Sequence, residues 1–241
     1  MDISYWIQFN PKIEISHTTK KYFNRYLYKL VVYVPGGRAI DSKDIVGTIE
    51  HRKVWDRDLN HFGWWGRRTR DLEAADIDFL EHIKQLKQDR TINTRVRVEE
   101  PWIQIYTESE DDLVEIVDQS PVLFKKYTHG LSGPEDSATA EILNSGAIIK
   151  KTDNGYRYKI ILKDGFYPIE TKQQLCNYFD SAGKDTVKMT GGLRRALQST
   201  TSGYMWSLYF YSNDLTMITF LNLISPGLVT NIHELVVPPT K

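Results

Sequence analysis

Residues 102–117 read WIQIYTESEDDLVEIV, and residues 208–224 read LYFYSNDLTMITFLNLI. In each stretch a short run of apolar and aromatic residues meets a polar turn, and an acidic residue then opens an apolar pattern of helical period. The echo sets Ile103-Gln104-Ile105-Tyr106-Thr107 ahead of Asp112-Leu113 beside Leu208-Tyr209-Phe210-Tyr211-Ser212 ahead of Asp214-Leu215. Alternation fits a half-buried strand, and an acidic residue before a periodic run fits a helix start. Each stretch predicts one strand followed by one helix.

Working outward, strand signals lie at 26–34 (YLYKLVVYV), 94–98 (TRVRV), 156–162 (YRYKIIL) and 187–190, and 205–211 (MWSLYFY) reads as one strand. All are short, rich in β-branched or aromatic residues, and bounded by turn formers. Leu72, Ile77, Leu80, Ile83 and Leu86 keep a helical period, with Lys84 and Lys87 late, as the helix dipole prefers. Further helices are expected at 111–119, 137–144, 171–182 and from Asp214 to about 224. Residues 26–128 thus run strand, helix, strand, strand, helix, strand, and residues 156–237 repeat that order. It is the ferredoxin-like βαββαβ order. The expected fold is α+β, a tandem duplication of that unit with antiparallel sheets and helices on one face. Extra strands near 13–16 and 147–151 are expected to hairpin onto each first strand, the second through Asp153-Asn154-Gly155. Gly130-Leu131-Ser132-Gly133-Pro134 reads as the boundary between a first half, 1–130, and a second half, 134–241.

The chain has 241 residues with 31 Lys+Arg against 31 Asp+Glu, a balance that excludes a wholly basic nucleic-acid-coating protein. One cysteine, Cys176, excludes an intrachain disulfide scaffold, and its place on an apolar helix face suits a core thiol. MDISYWIQF lacks the basic-then-apolar pattern of a signal peptide, and the apolar run at 217–229 is broken by Thr219, Asn222, Ser225 and Pro226. A cytoplasmic protein with no membrane association is expected. The six histidines show no metal-ligand spacing, and neither a nucleophile elbow nor a Walker motif is present, so neither cofactor nor metal is expected.

The halves differ in one connection. Between first strand and first helix the second half needs only 163–170, whereas the first spends about 36–71. That insertion contains HRKVWDRDLNHFGWWGRRTR (51–70), with Arg52, Lys53, Arg57, Arg67, Arg68 and Arg70 interleaved with Trp55, Trp64 and Trp65. A smaller insertion at 191–203 carries Arg194 and Arg195. Cations neutralise phosphates and exposed rings stack on unpaired bases, so these residues are the candidate nucleic-acid or partner-binding set. The competing reading packs the tryptophans internally, because the basic stretch 20–70 adjoins the acidic stretch 71–119. The glycine pairs Gly36-Gly37 and Gly191-Gly192 are candidate phosphate nests.

Strand parity adds a second surface. With Val96, Val98, Ile103 and Ile105 toward the helices, Arg95, Arg97, Trp102, Gln104 and Tyr106 share the open face. That arrangement resembles the sheet on which RNA-recognition motifs stack bases, without their glycine-aromatic consensus, of which Gly203-Tyr204-Met205-Trp206 is a partial match. The reading is a non-enzymatic binding protein for single-stranded nucleic acid, RNA in particular. The alternative is a structural or regulatory assembly protein docking a protein partner or a second copy as a homodimer. The third is a metal-free ribonuclease: the tandem arrangement resembles CRISPR RNA-processing nucleases, but their C-terminal glycine-rich loop is missing here.

Overall fold

A computed structural model describes residues 1–34, 36–51, 73–89, 93–99, 101–183 and 185–237. The chain is a mixed α+β protein of two compact units, Met1–Ala140 and Glu141–Lys241.

The first unit is built on a five-stranded sheet of β1 (Glu14–His17), β2 (Tyr28–Tyr33), β3 (Arg95–Glu99), β4 (Trp102–Thr107) and β5 (Thr128–Gly133), in the order β1-β5-β2-β4-β3. The pairs β5–β2, β2–β4 and β4–β3 are antiparallel, and β1 lies parallel to β5. Leu30, Val32, Ile103, Ile105 and Leu131 alternate onto one face and are buried. The helices Glu110–Asp118 and Pro121–Tyr127 pack on that side through Leu113, Ile116, Val117 and Phe124. Ser109 caps the first of them by accepting from the Asp112 N–H at 3.1 Å, and Glu110, Asp111 and Asp112 fill its first turn. The crossover helix Ala74–Gln88 buries Phe79, Leu80, Ile83 and Leu86; of the expected period Leu80, Ile83 and Leu86 are buried, Ile77 is partly buried and Leu72 lies outside the described residues.

Asp76, fully buried, holds that crossover helix in place. It accepts from the Glu73 N–H at 2.8 Å, closing a capping box, and from the Tyr127 hydroxyl of the next helix. A buried carboxylate is tolerable only with such partners.

The second unit holds β6 (Ile148–Ile149), β7 (Tyr158–Leu162), β8 (Gly165–Tyr167), β9 (Val187–Met189), β10 (Gly203–Met205), β11 (Tyr209–Ser212) and β12 (Val229–Val236). Its main sheet runs β6-β12-β7-β11-β9, and β8 pairs with β10 in a separate two-stranded ladder. Here too the inner pairs are antiparallel and the edge strand, β6, is parallel to its neighbour β12. The helices Ile169–Ser181 and Met217–Ile224 supply Leu175, Phe179, Met217 and Leu221 to a core shared with Ile160, Leu162 and Phe210. Phe179 meets Phe210 edge-on at 4.8 Å.

Four expectations are corrected. The sheets are mixed, because β1 and β6 each lie parallel to the last strand of their sheet instead of forming a hairpin with the first. Asp153-Asn154-Gly155 does form a turn, with Gly155 at φ 78° and its N–H on Asp153 at 2.8 Å, but β12 lies between the strands it joins. Gly130–Gly133 is part of β5, inside the first sheet between β1 and β2, and not a linker. The run 205–211 is also two strands: Ser207, at φ 52°, breaks it between β10 and β11.

Candidate nucleic-acid interface

On the first sheet, the face away from the helices carries Lys29, Val31 and Tyr33 of β2, Arg95 and Arg97 of β3, and Trp102, Gln104 and Tyr106 of β4. The open-face parity expected for Trp102 and Tyr106 is thus observed, although Tyr106 itself is 3% exposed. It is covered by the turn 22–26, where Phe23 and Asn24 take φ of 54° and 59°. A positive φ is costly for a residue as bulky as Phe. The turn places the Tyr22 and Phe23 rings 5.2 and 5.0 Å from Tyr106, with the Arg95 guanidinium 3.8 Å over Phe23. Burial pushes the Tyr106 phenol above its ordinary value. The other end of the face is open: Tyr33, 44% exposed, and His129 both meet Trp102 at 4.8 Å. Carboxylates are part of this face, since Glu99 pairs with Arg97 and accepts from Gln104 at 3.0 Å.

On the second sheet the corresponding face reads differently. Register places Lys188 of β9, Tyr211 of β11, Lys159 of β7 and His233 of β12 side by side in one row across four strands. Tyr209, Ile161 and Asn231 form the next row. The Lys159 ammonium lies 3.9 Å over the Tyr209 ring, and Lys150 approaches Tyr211 at 5.9 Å. Each such contact contributes roughly 0.5–1 kcal/mol when exposed. His233 Nδ1 sits 2.9 Å from the Gly146 carbonyl, which fixes its ring. Burial, reinforced by a hydrogen bond with Tyr211, raises the Tyr209 phenol above its ordinary value. Among the described residues these two rows contain no carboxylate.

Of the candidate residues from sequence, Arg52, Lys53, Trp55, Arg57, Trp64, Trp65, Arg67, Arg68 and Arg70 lie outside the described residues. Arg194 and Arg195 are exposed on the helix Gly191–Leu197, where Arg194 pairs with Asp180 at 3.1 Å. The glycine pairs are turn elements. Gly36, at φ 80°, precedes the 3-10 turn Gly37–Asp41, and Gly191-Gly192 begin a helix capped by the Thr190 hydroxyl at 3.3 Å. Cys176 is partly buried against the second core, and burial, then Asp180, raises its thiol pKa, which suits a packing role better than a nucleophile. Among the described residues no three His, Cys, Asp or Glu side chains gather as a metal site, and no helix is long and apolar enough to cross a membrane.

Sequence reasoning missed the Lys188–Tyr211–Lys159–His233 row. The parity argument that separated Tyr106 from Ile105 also separates Tyr211 from Phe210 and Lys188 from Val187, and would have found three of its four members. No family model matches the chain, and no curated protein matches it.

Proposed function

We propose that the chain is a non-enzymatic binding protein of two tandem ferredoxin-like halves that takes up single-stranded nucleic acid, RNA in particular. The duplication is supported by the strand orders. Leaving out β8 and β10 and numbering each sheet's last four strands in chain order, both run fourth, first, third, second, with a parallel strand added beside the fourth. The ligand class rests on the carboxylate-free row Lys188–Tyr211–Lys159–His233. Together with Tyr209 of the next row it offers lysines for phosphates and phenol rings for bases, on the sheet face opposite the buried Ile160 and Phe210. In this reading the Trp/Arg-rich insertion contributes further phosphate and stacking groups through Arg67, Arg68, Arg70, Trp64 and Trp65. A second reading, docking of a protein partner, is favoured by one observation: Phe220 and Leu223 on the helix Met217–Ile224 are 55% and 77% exposed.

Titration of labelled oligo(U) and oligo(dT) over a range of salt tests the first reading. Lys159→Ala with Lys188→Ala should weaken binding to both and reduce the salt slope by about 1 for each phosphate no longer neutralised. Arg67, Arg68 and Arg70 changed together to Ala should act in the same direction. A folded wild-type chain that binds neither oligonucleotide at low salt overturns the reading.

A further inference from the structure

The geometry points to a self-modifying site in the turn Asp153-Asn154-Gly155: the Asn154 side-chain amide is converted, through a ring formed with the Gly155 nitrogen, into an aspartate or isoaspartate. Asn154-Gly155 is the chain's one Asn-Gly pair. Gly155 suits the role because it takes φ 78° and carries no side chain. A Cβ placed there would meet nothing within 4 Å, so the nitrogen is approached without hindrance. Asp153 and Gly155 are exposed and Asn154 is half-buried, so water reaches the turn.

The reacting groups are held in place. The Gly155 N–H donates to Asp153 Oδ1 at 2.8 Å, within the reach at which a carboxylate takes a proton as general base. Asn154 Oδ1 accepts from the Tyr156 N–H at 3.1 Å. That bond turns the Asn154 side chain back along its own main chain. It also sets a donor on the oxygen where negative charge develops when the carbonyl is attacked. The far side of the turn is fixed as well: Asn213 Nδ2 donates to the Gly155 carbonyl at 2.9 Å, and Asn213 Oδ1 accepts from the Arg157 N–H at 2.8 Å. Asn213 is the contrast, since both ends of its amide are taken by main-chain groups and Asp214, not a glycine, follows it.

Water is the only outside reagent. Asp153 takes the Gly155 proton as the nitrogen attacks Asn154 Cγ, and the new C–N bond closes a ring whose oxygen is anionic. Asp153 then returns the proton to Nδ2; the C=O re-forms, the Cγ–Nδ2 bond breaks, and ammonia leaves a succinimide. Water opens the ring at the side-chain carbonyl to give aspartate, or at the main-chain carbonyl to give isoaspartate, which adds a methylene to the backbone. Base, carbonyl and nucleophile belong to consecutive residues, so orientation is built in before the reaction starts. Either product sets a second carboxylate beside Asp153, just ahead of β7, and isoaspartate also lengthens the path to the Asn213 clamp.

Peptide mapping by mass spectrometry on the full chain, incubated at neutral pH, tests the site. Trypsin releases residues 152–157 by cutting after Lys151 and Arg157. In that peptide position 154 should exchange NH2 for OH and give two chromatographic products, well before the peptides carrying Asn144 or Asn213 change. Asp153→Asn keeps an acceptor for the Gly155 N–H but cannot take its proton. It should slow conversion at position 154 by about 100-fold, the low end of what a positioned base contributes. Its Tm should match wild type because Asp153 is exposed. Chain unfolded in urea should convert more slowly than folded chain, because Asp153 and the Tyr156 N–H no longer hold the reacting groups. An Asn154 that keeps its amide as long as Asn213 does overturns the site. Conversion that is as fast in Asp153→Asn as in wild type, or faster in urea than in the folded chain, also overturns it, because the turn then adds nothing to the bare Asn-Gly sequence.

Discussion

Between β2 and the crossover helix at 74–88, the first sheet's chain passes through the 3-10 turn Gly37–Asp41 and a helical stretch at 45–51. Between β7 and the helix at 169–181, the second sheet's chain inserts only the three residues of β8 and their short flanks. The second spends its extra length elsewhere, on the helix Gly191–Leu197 and β10, where the first turns directly from β3 into β4. One strand order therefore tolerates insertions at two different corners, as loops tolerate them in general. The insertion at 191–205 is also anchored, since Leu193, Leu197 and Met205 are buried. The faces differ as well. Glu99 offsets Arg97 on the first, while the Lys188–Tyr211–Lys159–His233 row on the second holds two lysines and no carboxylate.

The largest expected effect tests whether the two sheets are separate cores. Phe210→Ala should cost about 3–5 kcal/mol. In hydrogen exchange, protection should fall across 158–236 and stay unchanged across 28–133. Uniform loss across both sheets would break the comparison. A middle-sized effect concerns the first sheet alone. A Cβ on Gly133 would lie 2.7 Å from the Tyr28 ring, so Gly133→Ala should destabilise the first unit by about 1–3 kcal/mol in denaturant titrations. The smallest concerns pH. His82, on the crossover helix, has its pKa lowered by burial, and its Nε2 has no hydrogen-bond partner among the described residues. The unfolded chain therefore takes up this proton first. The first unit should keep full stability above the ordinary histidine value near 6.5 and lose some as pH falls below it. His82→Leu should flatten that slope in melting curves between pH 5 and 7, with no matching change in the second unit.

Much of the architecture was legible because it rests on local pattern. Phe79, Leu80, Ile83 and Leu86 follow the helical period, and Ile103 and Ile105 alternate with Trp102, Gln104 and Tyr106 as a half-buried strand requires. What failed depends on partners far along the chain. Gly130 and Gly133 have linker composition, yet both lie inside the sheet, and a Cβ on Gly133 would meet the Tyr28 ring at 2.7 Å. The turn at Asp153–Gly155 has hairpin chemistry, but whether two strands pair depends on which third strand comes between them. For the site, composition pointed to Arg194 and Arg195, whereas the Lys188–Tyr211–Lys159–His233 row exists only through register across four strands.

The parallel pairing of β1 with β5 has a consequence for the order of folding. Ser16 meets Ser132 across 116 positions of chain, hydroxyl to hydroxyl at 2.7 Å. A contact of that span is slow to find, because loop-closure entropy is lost before it forms. During synthesis β1 emerges early and waits for β5, with β2, the crossover helix and the β3–β4 hairpin made in between. The edge of the first sheet is therefore sealed only once residue 133 has left the ribosome, and until then β1 is a nascent strand without its template.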